Sequence, residues 1–218
     1  MELLNKTIIF DFDGTIADTL ETVAVLYNQI APDFNCKPLS FNDKEKFRSM
    51  KAGDFLKECK IPALIIPVLA IRIKAELRHK IEDIRPIKGI TEILFQLKNN
   101  GYKIGVMSSN TLANINAFLR YHKMENIFDF VHSGKNIFGK DKVILRLLSK
   151  YKIKRNQVIY VGDETRDIEA LKRIRVPIIA VSWGFNSHSV LEKQKPDALI
   201  DIPDELLGVI NKLFNFAY

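Results

Sequence analysis

The chain has 218 residues, of which 47% are hydrophobic and 27% charged, which suits one globular domain or one domain carrying a smaller insert. The charged residues are well mixed along the chain, and this argues against long disordered tails. The net charge of +7 comes without a dense basic run with interleaved aromatics, so we expect a small anionic substrate and no nucleic-acid partner.

Strand-like and helical patterns alternate along most of the chain. Strands are predicted over residues 7–10, 103–107, 129–132, 157–161, 176–181 and 198–202. Helices are predicted over 18–30, around the apolar stripe 90–97, and over 114–121, 141–151, 167–174 and 204–213. Asp18 and Glu21 form a capping-box pattern at the start of the first helix.

From residue 85 onward, this alternation predicts an α/β domain, a Rossmann-like parallel sheet with helices on both faces. The segment before it differs, because it contains no convincing strand and several helical patterns. We therefore predict an α/β core domain made of residues 1–16 and 85–218. Residues 17–84 are predicted to form an inserted α-helical cap domain over the mouth of the sheet.

The longest apolar run, 61–73, is interrupted by Pro62 and Pro67. It is too short and too broken to span a bilayer, and it predicts a buried helix. The N-terminal residues lack a basic stretch followed by a long apolar core, so they do not predict a signal peptide. Cys36 and Cys59 form no CxxC pair. Together these features predict a cytoplasmic protein with no membrane partner and no disulfide.

Polar residues follow three of the predicted strands, at the edge of an open parallel sheet where ligands bind. The runs DFDGT (11–15) and DETRD (163–167) follow two of these strands, and Ser108, Ser109 and Asn110 follow a third. The three strands would be neighbours in such a sheet. We therefore expect the three polar clusters to converge.

The first cluster has the composition of a metal and phosphate site. Asp11 and Asp13 alternate along the chain, so they share one face if the strand persists, and a divalent cation would relieve their repulsion. Gly14 lets the backbone turn sharply and present N–H groups to an anion, and Thr15 adds a hydroxyl. The alternative is an acidic turn that only closes the strand, with Asp18 as a helix cap.

With these motifs in order, the sequence resembles the haloacid dehalogenase superfamily over nearly its whole length. DFDGTIAD is similar to the first motif, DxDGT; Ser108 after IGVM to the second; and GDETRD to the fourth, GDxxxD. Lys140 in FGKDK is the best match to the third-motif lysine, although many relatives have a proline-rich KPxP segment there, so Lys142 stays an alternative. The helical insert resembles the cap of the phosphoglycolate phosphatase-like branch.

The resemblance implies a phosphatase that needs Mg²⁺ and forms an aspartyl-phosphate. Asp11 would be the nucleophile, and Asp13 would protonate the leaving oxygen and then activate water. Mg²⁺ would bind the Asp11 carboxylate, the backbone carbonyl of Asp13 and Asp163. Asp167 would hold a metal-bound water or orient Lys140.

The resemblance also implies a phosphate-binding set in which Ser108 hydrogen-bonds a phosphate oxygen and a lysine neutralises charge. Its predicted members are Gly14, Thr15, Ser108, Ser109 and Lys140. Ser109 is an alternative to Ser108, and either serine could be an ordinary turn residue.

In the cap, Arg48 and Lys51 could meet a carboxylate or second phosphate of the substrate, or could belong to a solvated basic face. Trp183 and Phe185 are interpreted as core packing, and Glu164 as a loop carboxylate.

Asp13 argues against two other reactions of the superfamily, because dehalogenases lack this second aspartate and phosphonatases replace it with alanine. A sugar-phosphate mutase would retain both aspartates, and a non-catalytic phosphometabolite-binding protein is a further alternative. The partner is expected to be a small phosphorylated metabolite, such as phosphoglycolate, a sugar phosphate or a nucleoside monophosphate. The protein is expected to be a monomer or a homodimer.

Overall fold

A computed structural model describes residues 6–40, 43–134 and 139–216 of the chain. Residues 1–5, which belong to the predicted core segment 1–16 and to the stretch without signal-peptide character, lie outside the described residues. Six parallel strands form one sheet in the order β3-β2-β1-β4-β5-β6. They are β1 (Thr7–Phe10), β2 (Lys103–Ser108), β3 (Phe130–Ser133), β4 (Val158–Gly162), β5 (Ile178–Val181) and β6 (Ala198–Ile200).

The α-helices of the described residues fall into two sets along the chain. The first set lies between β1 and β2 and comprises α1 (Leu20–Ile30), α2 (Lys44–Arg48), α3 (Ala52–Glu58), α4 (Ile66–Arg78) and α5 (Ile90–Asn99). The second set comprises α6 (Leu112–Tyr121), α7 (Lys140–Lys150), α8 (Thr165–Ile174), α9 (His188–Glu192) and α10 (Leu206–Phe216). The predicted strands and helices of the core are present, with ends that differ by a few residues.

The central strands are buried on both faces, which explains their continuous apolar sequences. Every residue of β1 and β4 is buried. Ile8 and Phe10 pack into a cluster with α5, α6 and α10, whereas Ile9 packs on the other face with α7 and α8. Because strand side chains alternate between faces, one apolar strand supplies both core layers. The predicted Rossmann-like α/β fold, with helices on both faces of a parallel sheet, is confirmed.

The start of the first helix differs from the prediction. Thr19 is the N-cap of α1 and makes no side-chain capping hydrogen bond. The backbone N–H of Asp18 donates to the carbonyl of Arg85 at 2.9 Å, and the Glu21 carboxylate pairs with Lys44 at 2.7 Å. The predicted capping box of Asp18 and Glu21 is therefore wrong, because both residues are committed to partners outside the helix.

The helices α1 to α4 share an apolar cluster separate from the two core layers. Its buried members are Tyr27, Ile30, Ala31, Cys36, Cys59 and Leu69. The two segments that join these helices to the sheet run side by side. Ala17 pairs with Pro86 in an antiparallel bridge, and the N–H of Ile87 donates to the carbonyl of Ile16 at 2.8 Å.

The proline-broken run 61–73 does not form the buried helix that its composition predicts. Only Leu69 in this run is buried, while Leu64 is 89% exposed and Ile71 68% exposed. The reason is that α4 packs on α1 along one stripe and leaves its other face to solvent. Within the part of the chain that the structure describes, no helix has the length and apolar character needed to cross a bilayer.

Gly105 of β2 lies beneath the ring of Phe130 on β3. A Cβ at position 105 would lie 2.1 Å from carbons of that ring, which stacks on Tyr151 with ring centroids 4.2 Å apart. We expect Gly105→Ala to lower the free energy of unfolding by about 1–3 kcal/mol, because the ring must move. A Cβ added at Gly208 in α10 would meet no atom within 4 Å, so Gly208→Ala should raise the free energy of unfolding by about 0.5–1 kcal/mol. Urea unfolding would contradict this packing if both variants matched wild type.

Candidate active site

The candidate site lies at the carboxyl ends of β1, β2 and β4. The strand order reverses beside β1, whose neighbours are β2 and β4, and open α/β sheets bind ligands at such a switch point. Asp11 follows β1, Ser108 ends β2, and Asp163 follows β4. Contacts such as that of Thr15 with Asp163, which joins residues 148 positions apart, show that the three polar clusters lie together.

The turn after β1 is shaped by Gly14. Its φ is +74°, and a Cβ at this position would lie 2.3 Å from Oδ2 of Asp163, so both conformation and space require glycine. The N–H of Gly14 donates to the carbonyl of Ala17 at 2.9 Å, and the N–H of Thr15 donates to the carbonyl of Phe12 at 3.3 Å. These two N–H groups therefore close the turn and do not face an anion, contrary to the prediction.

Thr15 also has a different partner from the predicted one. Its buried hydroxyl donates to Oδ1 of Asp163 at 2.8 Å, and its carbonyl accepts the indole N–H of Trp183 at 3.2 Å. The Thr15 hydroxyl therefore helps to position Asp163, and its predicted contact with phosphate stays a prediction. Sequence reasoning missed the contact between Thr15 and Asp163 because the two residues are distant in the chain.

Three buried carboxylates form a cluster beside the sheet. Asp11, Asp163 and Asp167 each offer an oxygen, and these oxygens lie within 4.8 Å of one another. Oδ2 of Asp167 is buried without a hydrogen-bond partner among the described residues. The carboxylate of Asp13 is not part of this cluster, so its predicted metal contact through the backbone carbonyl stays a prediction.

Lys140 is the lysine that meets these carboxylates. Its Nζ lies 2.5 Å from Oδ2 of Asp11 and 2.5 Å from Oδ1 of Asp167. Lys142, the alternative left open by the sequence, is exposed in the first turn of α7. One ammonium among three carboxylates leaves an excess of negative charge, and the cluster therefore fits a divalent cation with oxygen ligands.

Burial and the neighbouring charges shift the pKa values of the groups in this cluster. Burial raises the pKa of Asp163 well above its usual value, and the neighbouring carboxylate of Glu164 raises it further. Burial raises the pKa of Asp167 to about 7, although Lys140 opposes this shift. Burial lowers the pKa of Lys140, but Asp11 and Asp167 outweigh it and hold the pKa well above the usual lysine value. Lys140 is therefore an ammonium at neutral pH.

The Asp13 carboxyl faces the end of β2. It accepts hydrogen bonds from the Asn110 amide at 3.0 and 3.1 Å, and the Ser108 hydroxyl lies 3.4 Å from its Oδ2. Burial and the Asp11 carboxylate raise the pKa of Asp13 to about 6. The Asn110 amide is fixed in turn by Asn114, whose Nδ2 donates to its Oδ1 at 2.9 Å. A group of this pKa is suited to exchange a proton near neutral pH.

The sequence placed Asn110 in the second polar cluster but did not predict its hydrogen bonds to Asp13, and it missed Lys74 altogether. Lys74 comes from α4, and its Nζ donates to the carbonyl of Ser109 at 2.5 Å. Burial lowers the pKa of Lys74. Ser109 thus contributes its backbone carbonyl to a contact with the helical insert, and Ser108 is the serine whose hydroxyl faces Asp13.

Arg48 and Lys51 have partners that differ from the predicted substrate. The Arg48 guanidinium donates to the carbonyl of Ser182 at 2.6 Å and of Gly184 at 3.1 Å, and it pairs with Glu45 at 2.8 Å. It fastens the insert to the loop after β5. Lys51 is half-exposed and lies 3.8 Å from Glu169 on the surface of α8. The prediction that these cations meet substrate is not supported by their contacts.

The loop after β5 holds Asp163 in place. The N–H of Phe185 donates to Oδ2 of Asp163 at 2.7 Å, and Oδ1 of Asn186 accepts the N–H of Thr165 at 2.9 Å. A Cβ at Gly184 would lie 2.2 Å from Oδ2 of Asp163. Trp183 packs on the core as predicted, but the loop also positions a carboxylate of the candidate site.

Comparison with known proteins gives one consistent set of relatives. The family model for haloacid dehalogenase-like hydrolases matches residues 8–181. A phosphoglycolate phosphatase from Synechococcus elongatus is 32% identical over 208 residues, which cover 95% of this chain and 98% of that protein. The pyrophosphatase PpaX from Bacillus mycoides is 23% identical over 95% of this chain and 98% of its own length. A solved structure of a predicted phosphatase from Clostridium acetobutylicum has a TM-score of 0.82 at 21% identity and shares the fold over 96% of this chain and 99% of that one.

Proposed function

The chain belongs to the haloacid dehalogenase-like hydrolase family, and we propose that it is a Mg²⁺-dependent phosphatase that hydrolyses a phosphate monoester of a small metabolite. The observation that carries this proposal is the buried Asp11 carboxylate, paired with Lys140 and next to a carboxyl group, Asp13, of raised pKa. The relative named phosphoglycolate phosphatase supports the phosphatase reaction and makes phosphoglycolate a substrate to test.

Asp11 would attack phosphorus. Its Oδ1 accepts the N–H of Phe12 at 2.7 Å, and Lys140 holds Oδ2, so the carboxylate has a fixed orientation. A bond forms between an Asp11 oxygen and phosphorus while the ester bond breaks, giving an aspartyl-phosphate. Asp13 would give its proton to the leaving oxygen and would then take a proton from the water that hydrolyses the aspartyl-phosphate. Asn110 and Ser108 orient the Asp13 carboxyl for both transfers.

Asp11 and Asp163 would hold the Mg²⁺ ion, with the backbone carbonyl of Asp13 as a further ligand. When bound, the ion would neutralise charge on the phosphoryl oxygens and on the carboxylates. Thr15 and Phe185 hold the two oxygens of Asp163 and so fix the direction in which this ligand points. Asp167 would keep Lys140 beside Asp11.

We also propose that residues 17–84 are a cap domain and that residues 1–16 and 85–218 are the core. The separate apolar cluster of the insert and the paired segments at Ala17 and Pro86 support this division. Two cations of the insert, Arg48 and Lys74, reach backbone carbonyls of the core loops. The cap therefore contacts the candidate site from two sides.

Phosphate release tests the proposal directly. We expect release from p-nitrophenyl phosphate and from members of a panel that includes phosphoglycolate and sugar phosphates. EDTA should lower the rate by at least about 10²-fold, since it removes the ion that would neutralise charge on the phosphoryl oxygens, and added Mg²⁺ should restore it. Mg²⁺ at about 100 times its Kd should also stabilise the wild type by about 2.7 kcal/mol.

The variant Asp163→Asn should lose both the activity and most of this Mg²⁺-dependent stabilisation, whereas the exposed Asp83→Asn should keep both. Mg²⁺-independent release would contradict the metal assignment. Conversion of one sugar phosphate into another without phosphate release would instead identify a mutase.

A further inference from the structure

A cavity of about 280 Å³ lies between the helical insert and the core. Its walls come from α1, α2, α3 and α4 on one side, and from Glu164, Phe185 and Asn186 on the other. This volume is just below the range for drug-sized small-molecule sites, which begins at roughly 300 Å³. The cavity is therefore large enough for the organic part of a small substrate.

The cavity begins at residues that hold the candidate metal ligand. Glu164 directly follows Asp163, and the backbone of Phe185 donates to Asp163 at 2.7 Å while its side chain lines the cavity. Glu164 pairs with Arg166, which lines the small space that contains Ser108 and Lys140. The cavity therefore adjoins the residues that position Asp163 in the candidate site.

The lining is predominantly apolar. Six of the side chains that form it are Leu20, Val23, Phe47, Met50, Phe55 and Phe185. Such a surface stabilises a ligand by removing apolar area from water.

The charged groups at the wall are already paired within the protein. Lys44 pairs with Glu21 at 2.7 Å, and Arg48 is bound to Glu45 and to two backbone carbonyls. Glu164 is paired with Arg166. A carboxylate entering the cavity would have to displace one of these partners to be paired itself.

We propose that this cavity binds the leaving group of the substrate and that this group is uncharged and largely apolar. The proposal rests on the proposed phosphatase function and narrows its substrate class to phosphate monoesters of alkyl or aryl alcohols. A short anionic substrate such as phosphoglycolate would leave the cavity unfilled and would place its carboxylate at the apolar end.

Three phosphate esters with alkyl leaving groups test how the length and the charge of the leaving group change kcat/KM. Ethyl phosphate, hexyl phosphate and 6-phosphonooxyhexanoate have primary alkoxide leaving groups, and the last two differ by a terminal carboxylate. We expect kcat/KM for hexyl phosphate to exceed that for ethyl phosphate by at least about 10-fold, and the terminal carboxylate to remove most of this gain. Equal values for the three esters, or a preference for the carboxylate, would overturn the cavity proposal and leave the phosphatase proposal standing. Absence of phosphate release from all three esters would overturn the cavity proposal. The phosphatase proposal would fall with it only if p-nitrophenyl phosphate and the metabolite panel were not hydrolysed either.

A variant with a large side chain in the cavity tests whether the preference for hexyl over ethyl phosphate depends on this cavity. Ala24 lies on α1 and lines the cavity, whereas Ala75 is exposed on α4 and does not. Ala24→Phe should reduce the hexyl-to-ethyl ratio of kcat/KM to near one, and Ala75→Phe should leave it as in wild type. Ala52→Phe, which enters the cavity from α3, provides a second test if Ala24→Phe fails to fold. An unchanged ratio in a folded filling variant would overturn the proposal.

Discussion

Asp11→Asn is expected to lower the rate of phosphate release by at least about 10³-fold while leaving the fold intact. The asparagine side chain has the same shape and keeps an oxygen that can accept the N–H of Phe12. Its amide is not a nucleophile and cannot form the aspartyl-phosphate. The substitution also removes one of three packed carboxylates, so the charge excess around Asp163 and Asp167 falls. We therefore expect the loss to fall on turnover rather than on stability.

Steady-state rates with Mg²⁺, circular dichroism and thermal melting check this expectation. Asp18→Asn is the matched control, because Asp18 is an exposed aspartate of the same loop. Its activity and melting temperature should equal those of wild type. Acid-quenched wild type incubated with substrate should carry a phosphoryl group on Asp11 by mass spectrometry. Activity retained by Asp11→Asn in a clean preparation would overturn the assignment of the nucleophile.

The sheet and the place of the site follow from local sequence patterns. The runs TIIF and VIYVG are largely apolar because both faces of a central parallel strand are covered, and they form β1 and β4. The polar residues after them lie at one edge because parallel strands end together. Together with the strand–helix alternation that predicts a parallel sheet, these two facts were sufficient to predict that Asp11 and Asp163 lie close.

Contacts between the insert and the core could not be predicted in this way. Lys74 reaches the carbonyl of Ser109, and Arg48 reaches carbonyls more than 130 residues away. A lysine or arginine on a short helix has the same local pattern whether it faces solvent or a distant carbonyl. The sequence could not indicate for this reason that Arg48 is bound to carbonyls of the loop after β5.

The motif after β1 shows a second limit of the sequence. DFDGT predicted a glycine turn, and Gly14 does adopt a positive φ. The motif could not indicate which atoms use the hydrogen bonds of the turn. The N–H groups of Gly14 and Thr15 bond to backbone carbonyls, and the Thr15 hydroxyl bonds to Asp163. The turn therefore organises a carboxylate, a role that depends on β4 being the neighbour of β1.

The two lysines at the start of α7 were left as alternatives by the sequence, and their environments now differ sharply. Lys140 is buried between Asp11 and Asp167, with its Nζ 5.1 Å from the ring centroid of Tyr160. Lys142 is exposed. Replacing a buried ion-pair partner leaves uncompensated charge, whereas replacing an exposed lysine changes little. Lys140→Met removes a buried positive charge, whereas Lys142→Met removes an exposed one. Comparing the two variants therefore shows what the buried charge contributes.

We expect Lys140→Met to lower the free energy of unfolding in EDTA by about 3–5 kcal/mol, because the buried carboxylates of Asp11 and Asp167 lose their ion-pair partner. It should also lower kcat/KM by about 10²–10³-fold, since the nucleophile and the transferring phosphoryl group lose a fixed positive charge. Mg²⁺ should restore part of the stability, so its effect on the melting temperature should be larger in this variant than in wild type. Lys142→Met should stay within about 0.5 kcal/mol of wild type in stability. Full activity in Lys140→Met, or its loss in Lys142→Met, would show that the lysine at the carboxylates is not the one that acts on phosphate.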